Sequence, residues 1–262
     1  MQVIQAEVVE ELTGFLGGEI VINPIQGGAI NLSFSVDQGE RRYFLKLFDV
    51  STIDLLDRAR LFRQQRILAV KGMAPKPIYL SAQGNFQLEE WIEQSNLTQS
   101  ELSTKQKCLR LAKALNDIHQ LCVRFPPLDL SSDWQNYMRL SGATFSRSQL
   151  QAQQQLLSLW RLESEEYSVL CHNDLSFSHV PESDSGVIFD WEYAAFNSPY
   201  FDIASCCIIN QFDKVEIQIV IEEYARLAVL DNNIVSGKVH SMLAVVNKTY
   251  ELWALACTKI PN

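Results

Sequence analysis

The chain has 262 residues, 47% of them hydrophobic and 20% charged, a composition that excludes disorder and fits one bilobed unit or two modest domains. Its formal net charge of −9 argues against a nucleic-acid groove, which needs a basic face, and is compatible with a small cationic substrate. The opening "MQVIQAEVVEELTGFLGG" lacks the basic-then-apolar order of a secretory signal, and no apolar run approaches the ~18 residues of a membrane span.

In chain order, a short helix is predicted around 6–16, followed by strands over 19–48. "FSV" and "RRYFLKLF" carry the aromatic and β-branched residues of strands, with "DQGE" as the hairpin turn between them and the glycine turn "IQGGAINLS" before them. The segment 53–71 places Leu55, Leu56, Ala59, Phe62, Ile67, Leu68 and Val70 at helical spacing, and "GMAPKP" stops it at Gly72. "IYLSAQGNFQLEEW" reads as a second hairpin turning at Gly84 and Asn85. The character then changes, with a junction near "EEWIEQ" at 89–94. A long helix over 98–122, opened by a cap-like "TQSE", carries Leu102, Cys108, Leu109, Leu111, Leu115 and Ile118. Helices are predicted at 133–140, at 146–164 and across most of 200–257, with strands only at "SVLCH" and "GVIFDW". The six cysteines (Cys108, Cys122, Cys171, Cys206, Cys207, Cys257) show no CxxC pair and no zinc spacing; adjacent Cys206 and Cys207 read as small packing groups, and the expected compartment is reducing cytoplasm.

Four features stand in one order: a glycine turn between strands, a lysine in the next strand but one, the HxD loop "CHNDLSFSHV" and an aspartate ending the strand expected in "GVIFDW". Phosphoryl transfer uses such parts. Glycine lets backbone N–H groups approach phosphate oxygens, and a lysine supplies positive charge to them. One carboxylate orients the acceptor hydroxyl, and another holds magnesium, which favours oxygen ligands.

"HNDLSFSHV" followed by "VIFDWEYA" resembles the catalytic and metal-binding motifs of the aminoglycoside phosphotransferase and choline kinase superfamily. More narrowly, "GGAINLSFSV", "LFRQQRILAVKGMAPKPIYL" and "FDWEYA" resemble stretches of bacterial thiamine kinases, over roughly residues 25–205. The resemblance implies an α+β, two-lobed protein-kinase-like fold. Its N-terminal nucleotide-binding lobe, a small antiparallel sheet with one helix, would cover 1–90, and a larger, mainly helical catalytic and substrate-binding lobe 91–262. ATP and Mg²⁺ are the implied cofactors, placed between the lobes.

Residue by residue, the resemblance makes Asp174 the catalytic aspartate, His172 the histidine bracing its loop and Asp190 the metal-binding aspartate. Lys46 would contact nucleotide phosphates, under a covering loop that holds Gly28 and Asn31. "EEWI", with Glu90 and Ile92, would be the hinge that meets adenine, and Asp202 would hold the catalytic loop. Two departures stand out. His179 occupies the place of an asparagine that ligates magnesium, although imidazole suits zinc, nickel or copper better than a hard cation. The helix over 53–71 also lacks the glutamate that usually pairs with the lysine, and carries Gln64 and Gln65 instead.

Aromatic residues of the second half (Trp134, Tyr137, Trp191, Tyr193, Tyr250 and Trp253) are candidates for stacking on a cationic substrate or for core packing. Among them Trp191 and Trp253, with the Glu192 carboxylate beside Asp190, are the substrate candidates carried forward. The expected activity is an ATP-dependent kinase acting on a hydroxyl of a small metabolite, thiamine first and choline or ethanolamine next, with no nucleic-acid or membrane partner. Its alternatives are a non-catalytic kinase-like binding or regulatory protein and an aminoglycoside phosphotransferase. The last is disfavoured by a chain end, "ELWALACTKIPN", whose one carboxylate side chain is Glu251.

Overall fold

The computed structural model describes residues 4–25, 31–48 and 56–258. They form two compact units. The first runs through Gln94 and includes Ser185–Phe189; the second comprises Ser95–Asp184 and the chain from Asp190 onward.

The first unit opens with helix α1 (Ala6–Leu16), stopped by Gly17 in the left-handed region at φ 77°. Strands β1 (Val21–Ile25), β2 (Leu32–Gln38) and β3 (Arg41–Leu47) follow, then helix α2 (Arg58–Val70) and strands β4 (Pro77–Leu80) and β5 (Phe86–Glu90). The strands make one antiparallel sheet in the order β1-β2-β3-β5-β4. Pro24 lies in β1 at the sheet edge, where its missing N–H breaks no inner ladder. Gln38 pairs with Arg41 around a two-residue Gly39-Glu40 turn, and Gly39 takes φ 57°, the left-handed value such a tight hairpin requires. The Asp57 carboxylate caps α2 by accepting from the Arg60 N–H, and Gly72 ends that helix at φ 72°. Residues 53–55 of the predicted helix lie outside the described residues.

Side-chain alternation divides the sheet into two different faces. Phe34, Val36, Leu45, Phe86 and Leu88 bury on one face against Val8 and Leu12 of α1 and form the core of this unit. Register puts Ser33, Ser35, Phe44, Lys46, Gln87 and Glu89 on the other. This second face is polar yet closed, since Ser35, Gln87 and Glu89 are all buried.

"GVIFDW" was expected as a strand, but among the described residues it joins no ladder. The Gln94 side chain satisfies its backbone instead, donating to the Val187 carbonyl at 2.7 Å and accepting from the Val187 N–H at 3.0 Å. The Ile188 N–H reaches the Met73 carbonyl at 2.9 Å.

The second unit holds helices α3 (Thr104–His119), α4 (Leu130–Ser141) and α5 (Arg147–Glu166), strand β6 (Val169–Cys171), a 3₁₀ turn over Trp191–Tyr193 and strand β7 (Ala195–Asn197). Helices α6 (Pro199–Ile209), α7 (Lys214–Ala228) and α8 (Asn232–Cys257) complete it. Helix α3 starts later than the sequence suggests. "TQSE" forms a turn, with Gln99 and Ser100 donating to the Asn96 carbonyl, and the capping box is made by Ser103 and Gln106. The stretch 200–257 breaks into three helices because the Asp213 and Asp231 side chains each cap a new start. Helix α3 packs on α7, and α8 packs on α4 and α6. Strand β6 pairs antiparallel with β7, so the strand before the HxD loop finds its partner downstream of Asp190. Among the described residues no helix is long and apolar enough to cross a membrane.

Candidate active site

The loop after β6 is built on a buried carboxylate. Asp202, in the first turn of α6, is 0% exposed. It accepts from the His172 N–H at 2.9 Å, from the Asn173 N–H at 2.7 Å and contacts His119 Nε2 at 3.0 Å. An ionisable group this deep requires such saturation. His119 in turn meets the Tyr224 hydroxyl through Nδ1 at 2.8 Å, so both ring nitrogens are engaged. Although His119, Cys171 and Asp202 cluster closely enough to suggest a metal, these bonds and the Cys171 contact to the Asn197 carbonyl account for the group as a structural brace.

Asn173 turns the chain with φ 64°, which an asparagine tolerates better than most residues. The next residue, Asp174, is half-buried, and its Oδ1 accepts from the Tyr250 hydroxyl of α8 at 3.3 Å. Burial first and the Asp174 charge second push the Tyr250 phenol well above its ordinary pKa, so it remains a donor. Burial likewise dominates the upward shifts of Tyr137 and Tyr193, with Asp174 among the charges that contribute to each. Of the three, Tyr250 is the one that hydrogen-bonds the Asp174 carboxylate. Trp253 meets Tyr250 edge-on with ring centroids 6.4 Å apart.

Asp190 also sits at φ 64°, immediately before the 3₁₀ turn. Asp174, His179 and Asp190 each bring one ligand atom within 4.8 Å of the others. Two carboxylates and an imidazole are a donor set that fits a divalent cation. His179 donates from Nδ1 to the Asp174 carbonyl at 2.9 Å, and its Nε2 lies 3.8 Å from Asp190 Oδ2. His172, 0% exposed, stacks on His179 with centroids 5.7 Å apart and meets Trp191 at a tilt of 46°, 4.8 Å away. Trp191 is 6% exposed and packs against the His172 ring. Glu192 is half-buried, and its charge contributes to the raised pKa of Tyr193 after burial.

In the first unit, Lys46 stands between Ser33 on β2 and Gln87 on β5. Gln87 Nε2 donates to Glu89 Oε1 and to Gln65 Oε1, both at 2.8 Å, and Gln65 Nε2 reaches the Pro75 carbonyl. The helix that lacks a glutamate thus brings a glutamine to this face, and the carboxylate there comes from the sheet. Glu90 accepts from the Lys76 N–H at 2.6 Å, and Ile92 is half-buried beyond the strand end. Asn31 lies just before β2, and Gly28 lies outside the described residues.

The sequence pattern of the phosphotransferase enzyme family matches residues 21–231. The chain belongs to that family. Among solved structures, the choline kinase LicA of Streptococcus pneumoniae superposes with a TM-score of 0.68 at 19% identity, covering 97% of each chain. An ethanolamine kinase of Plasmodium vivax gives a TM-score of 0.76 at 19% identity, covering 97% of this chain and 82% of that one. The fold is therefore kinase-like, as the sequence implied. Protein LicA of Haemophilus influenzae is 24% identical over 226 residues, 82% of this chain; the chain spans 66% of that relative's length, just under two thirds.

Sequence reasoning named Asp174, His172, His179, Asp190 and Asp202, and the structure brings all five around one loop. It did not single out Asn173, Asn197 or Ser205, whose roles are hydrogen bonds to that loop. No local signal marks them, because each acts on a residue distant in sequence.

Proposed function

We propose that the protein is an ATP-dependent phosphotransferase acting on a hydroxyl of a small cationic metabolite, of the choline or ethanolamine type. The observation that carries this reading is the convergence of Asp174, His179 and Asp190 within 4.8 Å on the braced loop of a phosphotransferase-family chain. In this reading Asp174 orients the acceptor hydroxyl and takes its proton, and Tyr250 keeps the Asp174 carboxylate in place through its hydroxyl. Asp190 and His179 would hold the divalent cation, which when bound neutralises charge on the phosphates. Lys46, on the closed polar face of its sheet, would supply positive charge to the same groups, and the backbone at Glu90–Ile92 would meet the base. Support for nucleotide use comes from a structure of LicA in complex with AMP, which shares this fold at a TM-score of 0.68.

A cationic acceptor is favoured by the surroundings of Asp174. Tyr250, hydrogen-bonded to Asp174, and Trp253 packed edge-on against it put aromatic rings beside a carboxylate, a setting in which a quaternary or primary ammonium gains about 0.5–2 kcal/mol. The similar kinases act on choline and ethanolamine by name, whereas thiamine rests on sequence resemblance alone and is placed after them. A spectinomycin phosphotransferase also shares the fold, at a TM-score of 0.57, so an antibiotic acceptor belongs in the same experiment.

The test is ATP consumption by the purified chain with Mg²⁺ against choline, ethanolamine, thiamine and spectinomycin. Turnover is expected with one of the first two, and Asp174→Ala should lower it by about 10²-fold or more with nucleotide binding retained. An Asp174→Asn variant of full activity would remove that residue from its role. Absence of both turnover and ATP-dependent thermal stabilisation would instead make the chain a kinase-like scaffold.

A further inference from the structure

Helix α6 grips the HxD loop at two places. Near its start, Asp202 accepts from the His172 and Asn173 N–H groups and the Ser205 hydroxyl donates to the Asn173 carbonyl, all just before Asp174. At its C-cap, Asn210 takes hold of the backbone beyond Asp174. Its Oδ1 accepts from the Phe177 N–H at 2.9 Å, and its Nδ2 donates to the Leu175 carbonyl at 3.2 Å and to the Cys206 carbonyl at 2.7 Å. A primary amide offers two N–H groups and one oxygen, so the Cys206 bond anchors the side chain to its own helix while the other two hold the loop. Leu175 and Phe177 flank Ser176, whose carbonyl accepts from the His179 N–H at 3.1 Å. The residues that Asn210 holds are therefore the base of the turn that carries His179.

The helix end adds a second contact. The Gln211 and Phe212 N–H groups reach back to the Ile208 and Cys207 carbonyls, both at 3.0 Å, with Gln211 at φ 55°. This left-handed stop, uncommon for a residue other than glycine or asparagine, brings Phe212 onto Phe177 of the loop, with ring centroids 5.4 Å apart.

We infer that Asn210, seconded by Phe212, is a positioning residue for the metal arm of the loop, Ser176–His179, and acts separately from the groups that aim Asp174. The inference rests on the phosphotransferase reading, in which His179 and Asp190 hold a divalent cation. Loss of an outer partner that orients a ligand commonly lowers metal affinity or activity by roughly 10–100-fold. Asp202, Asn173 and Tyr250 are untouched by such a loss, so the partner of the acceptor hydroxyl stays in place.

The closest test is Asn210→Asp, which keeps the shape and the Phe177 bond but turns a carboxylate oxygen toward the Leu175 and Cys206 carbonyls. Binding of Mn²⁺ to the full chain, read from the free-ion electron paramagnetic resonance signal with and without ADP, should weaken by about tenfold. In turnover, the Mg²⁺ concentration for half-maximal rate should rise by about the same factor, while the acceptor KM stays within about twofold. Phe212→Leu leaves the hydrogen bonds of the amide in place and serves should Asn210→Asp fail to fold; it should move the same quantities in the same direction by less. Wild-type Mn²⁺ affinity in the folded variants, or a lower kcat with unchanged metal dependence, would mark Asn210 as a helix cap only and overturn the inference, with the phosphotransferase reading intact. Weakened Mn²⁺ binding in the variants of a chain that turns over no acceptor would support the inference and count against the reading's acceptor instead. Failure of the wild type to bind Mn²⁺ overturns the inference together with the metal site on which it rests.

Discussion

Asn173 is held by four hydrogen bonds. Its N–H goes to Asp202, its carbonyl accepts from Ser205, and its side chain donates to the Tyr193 carbonyl and accepts from Asn197 Nδ2. Together they over-determine a backbone at φ 64° that costs a non-glycine residue of order 1 kcal/mol, and they aim the Asp174 side chain that follows. Asn173→Ala should lose the side-chain bonds and keep the strain, whereas Asn173→Gly loses the bonds and relieves it. Urea unfolding should therefore find the alanine variant less stable than the glycine variant by about 1 kcal/mol. Asp202 is the stronger test of the brace. Its removal orphans two backbone N–H groups and His119 in a fully buried place, so Asp202→Ala should cost about 3 kcal/mol or more and reduce turnover as well. A variant with wild-type unfolding would show that the brace is dispensable.

Helix boundaries in the second unit are set by side-chain caps more than by apolar periodicity. Ser103, Ser146, Asp213 and Asp231 each accept from the first turn of the helix they open. Asp129 does the same for α4, accepting from the Ser132 N–H at 3.1 Å and the Ser132 hydroxyl at 2.7 Å. The Ser132 side chain and backbone hold its carboxyl below the usual carboxylate range. A depressed folded pKa means that the stabilisation is complete above the unfolded value of about 3.9 and is lost as pH falls through the folded one. Asp129→Ala should thus cost about 1 kcal/mol at neutral pH, with the gap to the wild type closing as pH falls through the lowered folded pKa. Denaturant melts across that range check it, and a gap that widens in acid would contradict the sign. The predicted strand at "GVIFDW" failed for a related reason. Its apolar pattern is that of a buried strand, but Val187 pairs with a glutamine side chain and the Ile188 N–H with the Met73 carbonyl, partners that no periodicity announces.

The two units have separate cores, and the thiols are distributed so as to test the second. Cys108, Cys171, Cys206 and Cys207 are buried, while Cys122 is exposed and Cys257 half-buried. Burial raises the buried thiols, Cys108 to about 11 and Cys207 to about 12, so they carry almost no thiolate at pH 8. A thiol reagent should modify at most two of the six cysteines in the native protein and all six in denaturant. Rapid reaction of a third would mean that the core around α6 opens. The antiparallel sheet was legible in the sequence because tight turns and alternation are local signals, and the HxD loop with its downstream aspartate was legible because its spacing is unusual. The position of α3's first turn was not, since "TQSE" and "STKQ" are both cap-like and only packing chooses between them. Residue identity alone thus determined the fold class and the carboxylates available to the site. Tertiary structure decided the rest: that Tyr250 reaches Asp174, that Gln87 joins Glu89 of the sheet to Gln65 of the helix on the Lys46 face, and where His179 points. These depend on contacts between residues far apart in the chain, and burial, not sequence spacing, sets their geometry.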